Sequence, residues 1–384
     1  MSPRVTVLLA VRQGEPYVRE CVASVLGQTF EDFEFLIVDD ASSDRTAEVV
    51  EAFADPRVRL LRNEVNLGQV PSLNRGLHEA RGEYVARIDH DDWCRPTRLE
   101  RQVAVLDAEP AVALVGTWMD LVEESGRWIG GLRSTIADFT EFLFHTLIMR
   151  VLISHPSAMY RREAVLRLGG YDEATGPAED KDLWRRLALE RLDARIVPEP
   201  LVVYRLHDAQ LSQTRAAYQR EVDGRSQERF LAALSPEAPV HRLRLLLAND
   251  PAYWSDPGAE VDAELDRLLA DARLRLGLDD EEGERIVQLV ARRVLEVGAT
   301  HPWRREARGL KAYGLERLPP ELRSTARATY NASLVLSPLK HGAHRTGRAL
   351  ADGAYRVPPL RALRGPARRS GLARRIYGKV VGSS

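Results

Sequence analysis

The chain has 384 residues, 44% of them apolar and 29% charged, an ordinary balance for a globular protein that excludes a mostly disordered or collagen-like chain. Its net charge of −1 conceals an asymmetry: residues 301–384 carry 18 Lys and Arg against 4 Asp and Glu, or +14, leaving −15 for residues 1–300. Two cysteines, Cys21 and Cys94, are too few for a disulfide framework and lack metal-ligand spacing, so two buried thiols in a reducing cytosol are expected.

The opening MSPRVTVLLAVRQGEPYV holds a short apolar run with no small-residue cleavage site, and it reads as a first strand at 5–11 rather than a signal peptide. Pro16 to Leu26 then sets Val18, Val22, Val25 and Leu26 at helical spacing. A second strand is expected at 33–40, followed by a helix from Asp44 to Phe53 that opens on Ser and Asp capping residues and carries Val49, Val50 and Phe53 on one face. Strands at 57–63, 82–89 and 112–116 continue the series. This alternation, from Val5 to about Leu211, predicts an α/β fold with a mostly parallel, Rossmann-like sheet. The apolar stretch Phe142 to Ile153 is interrupted by His145 and Arg150 and falls short of the ~20 residues of a membrane span, so no transmembrane anchor is expected. From about 225 to 320 the pattern is helical throughout, in LRLLLA, VDAELDRLLADARLRLGL and ERIVQLVARRVLEV. Beyond Pro319-Pro320 the composition turns to Arg, Ala, Gly and Pro. The expected organisation is a catalytic domain at 1–224, an all-α extension at 225–320 and a basic tail at 321–384.

In open α/β sheets ligands bind beyond the carboxyl ends of the strands, and acids collect there: Asp39-Asp40, Asp89-His90-Asp91-Asp92, and Glu179-Asp180 ahead of a helix near Asp182. Such close carboxylates repel one another unless a cation sits among them, and hard oxygen ligands on a sharp turn suit Mg²⁺ or Mn²⁺ rather than zinc. In an extended segment Asp89 and Asp91 point to one side and Asp92 to the other, which lets one acid touch a sugar hydroxyl while another holds the metal. The alternative for the triplet is a helix cap before Arg98-Leu99.

The run VTVLLAVRQGEPYVRECVASVLGQTFEDFEFLIVDDASSD, then NLG at 66–68, ARGEYVARIDHDDW, HPSAMYRREAVLRLGGYDE at 155–173, AEDKDLWRRL at 178–187 and VVYRLHDAQLS at 202–212 resemble the family-2 glycosyltransferases of the GT-A fold. The resemblance spans about 200 residues and implies an inverting, nucleotide-sugar-dependent enzyme. It implies that Asp40 contacts the nucleotide base, the alternative being a cap for the next helix. Asp91 is then the metal ligand bridging the donor pyrophosphate, with Asp89 and Asp92 flanking ribose and metal. Asp180 matches the catalytic base, preceded by Glu179, with capping of the Leu183-Trp184 helix as the alternative. His207 lies where a C-terminal histidine meets the metal. Arg12 and His155 complete the residues expected around the nucleotide sugar, His155-Pro156 on the acceptor side; Gly169-Gly170 form a tight turn, and Trp184 belongs to the core. Two departures, Ala10-Val11-Arg12-Gln13 where the family often has Pro-x-x-Asn and His90 in the small middle position of the triplet, leave base preference open.

The reaction so implied moves a sugar from a nucleoside diphosphate sugar to an acceptor hydroxyl with inversion, assisted by Mn²⁺ or Mg²⁺, in cell-envelope polysaccharide or glycolipid synthesis. The alternative is a non-catalytic nucleotide-sugar-binding scaffold on the same fold. A sugar-phosphate nucleotidyltransferase would want a glycine-rich basic loop where this chain has VRQGEPY. No nucleic-acid partner is expected, because aromatics are sparse among the tail's arginines. From Lys340 to Lys379 there are 11 Lys and Arg against the single Asp352, with Leu372, Ile376 and Val380 at helical spacing. That pattern fits an anionic membrane surface and a lipid-linked acceptor, and hence a cytoplasmic protein peripheral on the inner face of the plasma membrane; the alternative is a solvated tail and a soluble glycan acceptor.

Overall fold

Strands β1 (Val5–Val11) and β2 (Phe33–Asp39) are apolar nearly throughout and buried, the pattern of parallel strands covered on both faces. In the computed structural model, which describes residues 2–150, 153–207, 216–255, 260–300, 305–328 and 330, they pair in parallel from Val5 opposite Phe33 to Val11 opposite Asp39. Helix α1 (Val18–Leu26) covers them with Val18, Cys21, Val22 and Val25, which recur at helical spacing on its buried face. The next helix, α2 (Thr46–Glu51), is shorter than the sequence pattern suggests; Asp44 opens it by accepting the Thr46 N–H at 3.1 Å. Strand β3 (Val58–Arg62), helix α3 (Gln69–Glu79) and strand β4 (Tyr84–Arg87) complete the parallel half, in the order β3-β2-β1-β4.

The other half of the sheet mixes directions. It contains the short β5 (Trp93–Cys94), then α4 (Arg98–Ala108), β6 (Val112–Glu123) and β7 (Trp128–Leu132). After α5 (Phe139–Leu147) come β8 (Met159–Arg161), α6 (Arg162–Arg167), α7 (Glu179–Leu189) and β9 (Asp193–Leu206). Among the described residues the sheet has nine strands, continuing past β4 as β8-β6-β9-β5 with β7 beside β6. Strand β8 runs antiparallel between β4 and β6, whereas β6 and β9 are parallel along their whole length, from Val112 opposite Asp193 to Glu123 opposite Leu206. Strand β6 thus extends past the expected 112–116, and β9 is a long strand despite Pro198 and Pro200. Proline removes a ladder donor, and the register slips beside Trp118, which lies opposite Pro200.

The described residues divide into two compact units, one drawn from 2–146 and 153–230, the other from 147–150 and 231–330. Helix α8 (Ala216–Leu234) follows β9. The second unit contains α9 (Val240–Ala248), α10 (Val261–Leu276), α11 (Asp280–Thr300) and α12 (Arg305–Glu316). Its core is built from leucine and valine stripes: Leu243, Leu246 and Leu247 on α9, Leu265, Leu268 and Leu269 on α10, and Ile286, Val290 and Val294 on α11. Among the described residues no helix is long and apolar enough to cross a membrane. The basic segment Lys340–Lys379 lies outside the described residues.

Candidate active site

The carboxyl ends of β1, β2 and β4 converge on the acidic segments. Beyond β2, Asp39 is fully buried and accepts from Ser42 N at 3.0 Å and Arg62 Nε at 3.1 Å. Asp40 does not cap the next helix. It accepts from Asn63 Nδ2 at 2.7 Å and from the N–H groups of Leu67 and Gly68, both at 2.8 Å, and so holds the loop that leads into α3. Burial opposes its ionised form, but these donors outweigh burial and keep the carboxyl below its ordinary value. Arg12, just past β1, is exposed.

Beyond β4 the chain is not extended, as alternation of Asp89, Asp91 and Asp92 would require; it turns. The Asp92 N–H donates to the Asp89 carbonyl at 3.3 Å, so neighbouring acids leave the turn in unrelated directions. Asp89 pairs with the fully buried Arg87, Oδ1 to Nη2, at 2.6 Å. Asp91 Oδ2 lies 2.9 Å from His207 Nε2, in a hydrogen bond between residues that the β5/β9 pairing draws together. Burial raises the cost of charge on Asp91, yet the His207 hydrogen bond and the charges of His90 and His207 hold its carboxyl below the ordinary value. Asp92 faces inward, 1% exposed: Oδ1 accepts the Arg205 N–H at 3.0 Å, while Oδ2 is buried with no hydrogen-bond partner among the described residues. Burial, then the charges of Asp91 and Asp89, push it well above the ordinary carboxylate range.

Both cysteines lie against this turn. Cys21 Sγ donates to the Asp89 carbonyl at 3.4 Å, and Cys94 Sγ accepts from Arg98 Nη1 at 3.1 Å. Arg98 is itself buried and its Nη2 donates to the Arg87 carbonyl at 2.6 Å.

The second acidic pair opens α7. Gly169 and Gly170, at φ 83° and 74°, make the preceding turn, and a side chain at Gly170 would strike Asn74 Oδ1 at 2.6 Å. Glu179 is buried 3.8 Å from His155 Nδ1, and its Oε2 has no hydrogen-bond partner among the described residues. Burial and the neighbouring Asp180 push Glu179 up to about 7. His155, whose Nε2 meets the Tyr171 hydroxyl at 2.9 Å, is held well below its ordinary value by burial and by Arg87. Arg87, paired with Asp89, also favours the ionised form of Glu179 through its charge, while the charge of Asp89 opposes it. Asp180 is half-buried; its Oδ1 accepts the Lys181 N–H at 2.8 Å. Burial pushes it above the ordinary value against the pull of Lys181 and Arg185, whose side chains are each 2.6 Å from Asp223 on α8. Trp184 is core, donating from Nε1 to the Ile153 carbonyl at 3.1 Å.

Among the described residues no three His, Cys, Asp or Glu side chains form a ready metal cluster. The Asp91–His207 pair supplies one hard oxygen and one imidazole at a single point, a donor set that suits Mn²⁺ or Mg²⁺ once a ligand's own oxygens complete the shell. Sequence reasoning missed Arg87 and Arg205. Arg205 stood in the VVYRLHDAQLS motif but marked no chemistry by itself, and Arg87 read as one polar residue in a strand.

Residues 6–169 match the family described as Glycosyl transferase family 2. The chain is 30% identical to an uncharacterized glycosyltransferase, MJ1057, of Methanocaldococcus jannaschii over 209 residues, which are 53% of this chain and 71% of that protein. It is 29% identical over 227 residues to the O-antigen biosynthesis glycosyltransferase WbnJ of Escherichia coli, covering 56% of this chain and 84% of WbnJ. In fold it is similar to residues 1–349 of S. aureus TarS in complex with UDP-GlcNAc, with a TM-score of 0.52 over 92% of this chain and 95% of that one at 18% identity.

Proposed function

The chain belongs to glycosyl transferase family 2, and from that premise we propose that it transfers a sugar from a nucleoside diphosphate sugar to an acceptor hydroxyl in a single inverting displacement. The observation that carries this reading is the pairing of Asp91 with His207 on the same end of the sheet as the Glu179-Asp180 pair, which Arg87 links to the acidic turn. Asp91 and His207 would hold the divalent cation, whose charge stabilises the departing diphosphate. Asp180 takes the proton of the acceptor hydroxyl as it attacks. Its Lys181 N–H bond fixes the carboxylate, and the push of burial makes it a better proton acceptor than an exposed aspartate. Asp92 and Glu179 act from behind: Asp92 braces β9 through Arg205 N, and Glu179 packs against His155. Asp40 holds the Leu67-Gly68 loop at the position where the nucleotide base is expected.

TarS binds UDP-GlcNAc, which supports a nucleotide-sugar donor, and WbnJ serves O-antigen synthesis, which supports an envelope glycan product. Incubation with UDP-, GDP- and dTDP-sugars tests the reading: one donor should release its nucleoside diphosphate in Mn²⁺ and none in EDTA. A scaffold would bind a donor without releasing anything. The acceptor we propose is lipid-linked, because 11 basic residues against one acid between Lys340 and Lys379 suit an anionic surface, at about 1 kcal/mol for each engaged charge. Full-length protein should co-sediment with anionic vesicles and be released by high salt, and a chain ending at Leu339 should not. Equal sedimentation of the two would turn the proposal to a soluble acceptor.

A further inference from the structure

Arg205, two residues before His207, is 6% exposed. Its backbone N–H goes to Asp92 Oδ1 at 3.0 Å, its Nε to the Asp91 carbonyl at 3.1 Å and its Nη1 to the Glu124 carbonyl at 3.0 Å. Its Nη2 pairs with Glu20 on α1. The guanidinium also lies over two rings, 4.7 Å from the Trp93 centroid and 5.1 Å from that of Tyr17. Tyr17 in turn packs against the His207 ring at 5.0 Å between centroids, and its hydroxyl donates to Glu124 Oε1 at 2.8 Å. Trp93 opposite Val203 is the last backbone rung between the acidic turn and β9 in that direction, so past it the two segments are joined by the bonds of Arg205 and by the Asp91–His207 contact.

We propose that Arg205 is a positioning residue for the divalent cation: by clamping the Asp91 carbonyl, the Asp92 carboxyl and the end of β9 together, it sets the spacing of Asp91 and His207. The proposal rests on the metal reading of that pair. A lysine there would keep the charge but lose the planar fork, which alone can bond the Asp91 carbonyl, the Glu124 carbonyl and Glu20 at once while lying flat between two rings. Outer-shell partners that orient metal ligands are typically worth about 10- to 100-fold in metal affinity.

Mn²⁺ alone is titrated into the full-length chain, free Mn²⁺ being followed by electron paramagnetic resonance and bound Mn²⁺ by its coupling to imidazole ¹⁴N. Wild type should bind with a nitrogen coupling, and Asp91→Ala should not bind. Arg205→Lys should bind about tenfold or more weakly, with the nitrogen coupling reduced and circular dichroism unchanged. A purely structural role would leave that coupling intact. Wild-type affinity and coupling in a folded Arg205→Lys would overturn this inference alone, whereas a wild type that takes up no Mn²⁺ would overturn the metal reading with it. Should Arg205→Lys fail to fold, Glu20→Gln, which removes one partner at a half-exposed site, should weaken Mn²⁺ by a few-fold, and unchanged affinity there would overturn the inference.

Discussion

The turn at Asp91-Asp92 and the start of α7 at Glu179-Asp180 each set two carboxyl groups side by side, and their surroundings sort the four into different protonation behaviour. In each pair one member faces inward. Asp92 and Glu179 both keep a buried oxygen without a partner among the described residues, and burial raises both. The other two members diverge. Asp91 is hydrogen-bonded to His207 and ends below its ordinary value. Asp180 sits beside Lys181 and Arg185, but both cations reach past it to Asp223, and it ends above its ordinary value. A direct side-chain hydrogen bond thus separates a carboxyl held below its ordinary value from one held above it.

The largest effect that would test this contrast is in turnover. Asp180→Asn should lower kcat by roughly 10²- to 10⁴-fold with KM for the donor nearly unchanged. An equal loss in donor binding would place Asp180 in the frame rather than the chemistry, and a larger kcat loss in Glu179→Gln would reverse the roles of the pair.

The next effect is in stability. Glu179 titrates near 7 in the folded chain against an ordinary 4.5, so between those values the native state holds more protons than the unfolded one. Its contribution is therefore greatest below the ordinary value and is lost as pH rises towards 7. Urea midpoints of wild type should fall across that window by the equivalent of about 3 kcal/mol, and those of Glu179→Gln should fall less. Parallel curves would mean that Glu179 gains no proton on folding.

The smallest effect sharpens the contrast itself. Asp223→Asn removes a negative charge near Asp180 and releases Lys181 from its 2.6 Å contact, and both changes favour ionised Asp180. The acid limb of the kcat profile should move to lower pH. A limb that moves up, or stays, would show that Lys181 does not reach Asp180 when freed.

Much of this was legible in the amino-acid order. The parallel half of the sheet announced itself through the unbroken apolar runs of β1 and β2, and the acids at strand ends pointed to the candidate site because a charge there has few structural uses. The second half was harder to read. Pro198 and Pro200 argue locally against a strand, yet β9 persists because β6 pairs with it on both sides of the slip. Alternation predicts an extended segment where the chain turns at Asp89–Asp92, since nothing in four adjacent residues reveals that Asp92 will brace Arg205, 113 positions away. Arg87 and Arg205 gain their meaning from partners across the sheet, and such partners have no sequence signature.

The burial of Cys21 and Cys94 beneath the acidic turn gives the chain its own clock. Burial suppresses the Cys21 thiolate, and the charges of Asp92, Asp91 and Asp89 suppress it further. The sulfur is fully buried and meets an alkylating reagent only through a local opening around it, so the rate of labelling reports such openings as well as the reactivity of the thiol. If Asp91 and His207 hold a cation as proposed, its binding should steady the turn and slow the labelling. Occupancy of the site can thus be followed from beneath it, with neither sugar nor acceptor in the tube.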